Sequence, residues 1–104
     1  MKRILVTAIG GDIGQSIAQC LKDYNDILIV GTDIHHRHAG RLYVDKFVTV
    51  PTAADNNYLD VIGEIIKTNK IDVLIPVNEN EISTLINSET NFNMIHCGKE
   101  IVNT

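Results

Sequence analysis

The stretch that most constrains this chain is ILVTAIGGDIGQSIAQCLK, residues 4–22: an apolar run, a glycine-bearing turn, then a segment of helical spacing. A strand that passes through a glycine turn into a helix opens a βαβ unit, and such a crossover returns to the sheet with a right-handed sense. The same alternation continues along the chain. Strands are predicted over residues 3–7, 27–32, 47–50 and 72–76, and a last one over 94–96. Helices are predicted over about 12–23 and 56–69, with a short one starting near Asn78. Helix one is expected to bury Ile13, Ile17, Cys20, Leu21 and Tyr24, and helix two Leu59, Ile62, Ile65 and Ile66. Thr52 with Asp55, and Asn78 with Glu81, have the spacing of capping boxes. Between residues 33 and 46 the polar connection DIHHRHAGRLYVDK shows no countable period.

Continuous apolar strands such as ILIV, residues 27–30, suit a parallel sheet covered on both sides. The expected class is α/β, a Rossmann-like three-layer α/β/α arrangement with a mostly parallel sheet of four to five strands. With 104 residues, domain 1–104 is expected to be single. A net charge of −4, with nine Lys and Arg scattered along the chain, offers no basic stripe, so no nucleic acid is expected as a partner. Apolar runs far shorter than about 20 residues predict no membrane span. The opening MKRILVTA leads straight into the turn without a signal-peptide core, which places the expectation in the cytoplasm. Cys20 and Cys97 lack metal or disulfide spacing, and Cys20 is expected to be a small buried apolar residue.

A dinucleotide cradle needs glycines for a tight turn, for backbone approach to a pyrophosphate, and for close helix packing. A GxGxxG frame ending at Gly14 begins on Ile9, so only Gly11 and Gly14 are in register. The alternative TGxxGxxG frame fits Thr7, Gly11 and Gly14 but finds Ala8 where glycine is usual. Asp33 follows Gly14 by 19 residues, a spacing at which a carboxylate can reach a ribose hydroxyl. Asp12, however, puts negative charge at the helix N-terminus, where it complements the dipole and opposes a diphosphate. Both readings stand at this point: a ligand loop, or a turn that only closes the helix onto the sheet.

Other chemistry is sparse. His35, His36 and His38 are close enough in sequence for zinc or copper, or are simply a solvated loop. Gly98-Lys99 lacks the rest of a phosphate-binding loop, and Tyr24, Tyr43 and Tyr58 have no lysine four residues on. PVNENE, residues 76–81, directly follows the fourth strand, at the edge where ligands settle in open parallel sheets. Asn78 and Glu79 therefore face the same region as the glycine turn. Alternatively, Asn78 only caps a helix, and Glu79 and Glu81 are first-turn acids that complement its dipole.

KRILVTAIGGDIGQSIAQCLK, then GTDI, YVDKFVTVP and YLDVIGEIIKTNKIDVLIPVNENEI, together resemble the N-terminal, pre-ATP-grasp domain of ATP-grasp ligases related to the carbamoyl phosphate synthase large subunit. The likeness spans nearly the whole chain; Ala8 departs from it, since relatives commonly carry glycine there. It implies a domain that is not catalytic by itself and holds no cofactor. ATP and magnesium would lie in a later ATP-grasp region, expected to be missing because the chain ends about where that region begins. It further implies an acceptor-substrate site formed by Gly10, Gly11, Asp12, Ile13 and Gly14 with Asn78 and Glu79, for a small-molecule acceptor. The reaction implied for the whole ligase converts a carboxylate or bicarbonate to an acyl phosphate that an amine then attacks.

Two other readings make different predictions. An NAD-binding Rossmann module of an oxidoreductase or nucleotide-sensing protein would use Asp33 on the ribose. A small interaction module would self-associate through exposed apolar surface.

Overall fold

The computed structural model describes residues 1–89 and 92–95. The elements follow in the order β1 (Lys2–Val6), α1 (Asp12–Lys22), β2 (Ile27–Asp33), a short 3-10 helix (Ala39–Tyr43), β3 (Lys46–Thr49), α2 (Tyr58–Asn69), β4 (Val73–Ile75) and α3 (Glu79–Ile86). All four strands are parallel, in the order β3-β2-β1-β4, with Ile4 opposite both Ile29 and Val73. The chain leaves β1 towards β2 and β3, then crosses to the other side of β1 for β4. That reversal opens a crevice at the carboxyl ends of β1 and β4. The predicted tail strand reaches the sheet edge at one point. Met94 bridges Leu74 in parallel, Leu74 N–H donating to Asn93 O at 2.8 Å and Ile95 N–H to Leu74 O at 3.0 Å. Residue 96 lies outside the described residues.

Successive strand residues point to opposite sides, so each strand feeds two cores. Ile4, Val6 and Ile29 pack with Ile9 and Ala18 beside α1. Leu5, Val30 and Leu74 pack with Tyr58, Ile62 and Ile65 of α2 and Leu85 of α3. Two helical layers on one sheet are the three-layer architecture that the continuous apolar strands predict. Among the described residues, no helix is long and apolar enough to cross a membrane.

The buried stripe of α1 differs from the expected one. Gly14 and Ala18 are buried and Ile17 and Leu21 half-buried, whereas Ile13 is 67% exposed, Tyr24 65% exposed, and Cys20 exposed. The reason is close packing at the start of the helix. A Cβ on Gly14 would stand 2.5 Å from the Ala8 carbonyl oxygen, so the smallest residues are drawn inward and the larger ones turn to solvent. The Thr52–Asp55 capping box does not form either. Asp55 accepts from Asn57 N–H at 2.8 Å in a separate turn, and α2 begins at Tyr58 behind it.

The connection without period is ordered locally by the 3-10 helix, whose Gly40 lies so near the Ile9 carbonyl that a Cβ there would overlap it. Within the YVDK stretch, Asp45 accepts the Ile29 N–H at 2.7 Å, which sets β3 beside β2, and Lys46 Nζ donates to Asn69 Oδ1 at the end of α2 at 3.0 Å.

Candidate functional site

The glycine turn is built from backbone bonds, with side chains joining it at Gly10, whose carbonyl accepts from Gln15 Nε2 at 3.0 Å. Ala8 adopts a left-handed conformation at φ 51°, Ile9 N–H donates to Thr32 O at 3.0 Å, and Gly11 N–H closes back on Ala8 O at 3.1 Å. Gly11 is the N-cap of α1 and provides no side chain to accept the first-turn N–H groups. Those donors and the helix dipole give the N-terminus of α1 a local preference for negative charge.

The second turn is held by side chains. Thr7, at the end of β1, accepts the Val77 N–H through its hydroxyl at 3.0 Å and so binds the two turns together. Asn78 caps α3 by accepting the Asn80 N–H at 2.8 Å, as its place in the sequence predicts.

Between the turns lies a crevice of roughly 340 Å³, whose wall includes Ala8, Gly11, Asp33, Asn78, Asn80 and Glu81. Of the residues singled out by the resemblance, Gly11 and Asn78 line it directly. Gly10 stands behind the wall and donates its N–H to Asp33 Oδ2 at 2.8 Å. Gly14 is buried under Ala8, Asp12 and Ile13 are exposed on the first turn of α1, and Glu79 is exposed on the first turn of α3. Asp33 lines the crevice, but both its oxygens are engaged: Oδ1 accepts the His35 N–H at 3.0 Å. The adjoining histidines diverge. His35 and His36 are exposed, while His38 packs edge-on against Phe47 with ring centres 5.0 Å apart. Among the described residues, no group of three or more His, Cys, Asp or Glu is placed to hold a metal.

One residue of this wall escapes a reading of sequence alone. Glu81 has the spacing of a first-turn acid, yet it is 9% exposed and accepts the Tyr58 hydroxyl at 2.5 Å. Burial raises its carboxyl above the ordinary glutamate range, the hydrogen bonds from Tyr58 and Thr7 pull the other way, and the charge of Asp33 adds to the rise. Tyr58 is held well above an ordinary phenol, first by burial and then by Glu81, so it stays a donor throughout the working pH range. A faint signal is present in the sequence: Glu81 lies four residues before Leu85, on the stripe that α3 turns to the core.

The crevice thus presents two carboxylates, several amide and carbonyl groups, and no Lys or Arg among its lining residues. Such a lining favours a positively charged group near Asp33 and Glu81 and is poorly suited to a polyphosphate.

Comparison with known proteins places this geometry in context. The PylC-like, N-terminal domain family matches residues 4–99. No curated protein matches. The crystal structure of the PbgP3 protein from Burkholderia pseudomallei is similar with a TM-score of 0.56 and 21% identity, covering 73% of this chain and 22% of that one. That of dTDP-glucose 4,6-dehydratase from Bacillus anthracis, in complex with NAD, gives a TM-score of 0.55 and 20% identity, covering 81% of this chain and 29% of that one. At these identities the likeness is one of fold, and the chain spans less than a third of the length of either protein.

Proposed function

The chain belongs to the PylC-like N-terminal domain family, the pre-ATP-grasp, Rossmann-like domain of ATP-grasp ligases, and on that premise we propose that it forms the acceptor-substrate side of an ATP-dependent carboxylate–amine ligase. In this reading the whole ligase resembles the carbamoyl phosphate synthase large subunit, acts in the cytoplasm, and holds ATP and magnesium in its ATP-grasp region. The observation that carries it is the crevice at the sheet's switch point, where a backbone turn at a helix N-terminus faces a turn bearing polar side chains.

The two turns suit opposite ends of a small polar acceptor. First-turn N–H groups of α1, with Gly10, Gly11, Asp12, Ile13 and Gly14 shaping their approach, suit an anionic substrate group. Asn78 and Glu79, with the carboxylates of the crevice, suit an amine. The chain's own part is to bind and orient. Acyl-phosphate formation is left to the rest of the ligase, because the crevice residues do not fit a triphosphate: carboxylates line it and no cationic side chain does. Calorimetry with ATP and magnesium is expected to show no useful affinity for this chain, and tight binding would overturn the proposal.

A second reading is favoured by the NAD-bound dehydratase among the similar structures. In it Asp33 would hold the ribose of NAD. Both Asp33 oxygens already accept backbone N–H groups, which weighs against a free ribose contact. Quenching of NADH fluorescence by the chain, lost in Asp33→Ala, would favour that reading. Self-association of the isolated chain is a further expectation, since Ile13, Tyr24 and Leu42 stand exposed. A single monomeric species by sedimentation would remove it.

A further inference from the structure

Glu81 is where three elements meet. β1 sends Thr7 to it, α2 sends Tyr58 from its first position, and α3 carries it in the first turn. Its carboxylate is nine-tenths buried yet belongs to the wall of the 340 Å³ crevice. The other charged group facing it is Asp33 from the end of β2, and His35 lines the same crevice. Among the described residues the ion pair is that of the N-terminal amine with Asp26, at the opposite end of the sheet, so no Lys or Arg answers either crevice carboxylate. Burying a carboxylate costs several kcal/mol unless it is paired or hydrogen-bonded. Here the Tyr58 hydroxyl holds it in place, and no cationic side chain answers it on the crevice side.

We infer that Glu81 is the cation-selecting residue of this crevice, that Tyr58 is the residue that positions it, and that the group it selects is a protonated primary amine. The inference deepens the acceptor-site reading and rests on it: it moves the amine contact from the exposed Glu79 to the crevice floor. Tyr58 acts through Glu81 and does not line the crevice. Its hydroxyl fixes one carboxylate oxygen, Oε2, and so holds the group in the crevice wall.

A consequence follows for protons. The empty crevice holds Glu81 above its ordinary range through burial and Asp33. A cation placed beside it favours the ionised form, so amine entry lowers the Glu81 midpoint. The Tyr58 hydrogen bond favours the same ionised form, so its loss raises the Glu81 midpoint and weakens the cation.

The test is an amide-resolved NMR titration of this chain with ethylammonium chloride, against sodium chloride at matched ionic strength and against sodium propionate. Shifts concentrated at Ala8, Gly11, Asn78, Asn80 and Glu81, produced by ethylammonium and not by the two controls, are expected. In Glu81→Gln, affinity should fall by about tenfold or more, the usual cost of losing a charged hydrogen bond. Tyr58→Phe keeps the carboxylate and should weaken the amine by a smaller factor. It should also raise the midpoint of the Glu81 carboxyl 13C titration, whereas ethylammonium lowers it in the unsubstituted chain. Unchanged binding in Glu81→Gln, equal shifts with sodium, or a Glu81 midpoint indifferent to both ethylammonium and Tyr58→Phe would each overturn the inference. Should Glu81→Gln fail to fold, Tyr58→Phe and the carboxyl titration decide the matter alone. The ligase reading fails by a different measurement, ATP affinity, so the two outcomes are separable.

Discussion

The two turns that meet over the crevice are made by opposite means. The first, from Thr7 to Gly14, is fixed chiefly by what is absent: a missing Cβ on Gly14 lets α1 descend onto Ala8, the helix has no side-chain cap, and the side-chain bonds, from Gly10 N–H to Asp33 and from Gln15 to Gly10 O, gather at Gly10. The second, from Val77 to Glu81, is fixed by what is present: the Asn78 cap, the Thr7 hydroxyl and the Tyr58–Glu81 bond. A steric turn fails abruptly when an atom is added. A polar turn loses stability in steps, one partner at a time, and in a way that depends on pH.

The sharpest way to break the contrast is Gly14→Ala. The added methyl meets a backbone carbonyl, which cannot swing aside as a flexible side chain could, so the helix must lift. A loss of about 3 kcal/mol or more is expected, at the upper end for overpacking, read as a fall in the urea midpoint. A loss below about 1 kcal/mol would mean that the turn yields easily and is not steric in nature.

On the polar side, Tyr58→Phe leaves the ring in the core and removes only the donor to Glu81. The expected loss is about 1.5 kcal/mol, a buried hydrogen bond to a charged partner. The sign of the pH effect follows from the direction of the Glu81 shift. Since the folded chain holds the Glu81 proton more tightly than the unfolded chain, the stability linked to the Glu81 carboxyl itself is fully present below the ordinary glutamate value. It is lost as pH rises through the folded one. Urea midpoints measured from about pH 4 upward should therefore decline, and Glu81→Gln should flatten this part of the profile. A slope that survives Glu81→Gln unchanged would assign the effect to another group.

The contrast also explains what could be seen in the sequence. Every reason for glycine to stand between a strand and a helix calls for the same tight strand-to-helix turn, so the first turn, the parallel order and the two-sided strands are legible from residues 4–32 and the apolar runs after them. Of the expected α1 stripe, Ile17 and Leu21 pack against the core while Ile13, Cys20 and Tyr24 face solvent, because these follow helical spacing as well as Gly14 and Ala18 do, and only the depth of packing at Gly14 selects between them. Glu81 was hidden for another reason. An acid in a first turn is sufficiently explained by the helix dipole, and its partner Tyr58 lies 23 residues away in a different helix, a relation that no local pattern carries. Thr52 and Asp55 mislead in the opposite direction, since capping spacing without the following helix is only a turn.

A smaller effect is expected at Asn78, whose side chain satisfies one first-turn donor of α3. Asn78→Ala should cost about 1 kcal/mol, while Asn78→Ser, which can still accept that N–H, should recover most of it. If alanine and serine are equally destabilising, the contribution of Asn78 lies in the crevice wall and not in the cap.

The smallest change has the opposite sign and reconnects the two turns. Ala8 occupies a left-handed conformation at φ 51°, which costs a residue with a Cβ roughly 1 kcal/mol and costs glycine nothing comparable. The Ala8 carbonyl is also the surface on which Gly14 rests, so strain at one position is held in place by close packing at the other. Ala8→Gly should therefore stabilise the chain by about 0.5 kcal/mol once the greater freedom of glycine in the unfolded state is subtracted. The gain should disappear in the Gly14→Ala background, where α1 no longer seats against the turn and Ala8 is free to relax. A gain that persists unchanged there would show the two positions to be independent, and the first turn would then be a sum of local preferences, much like the second.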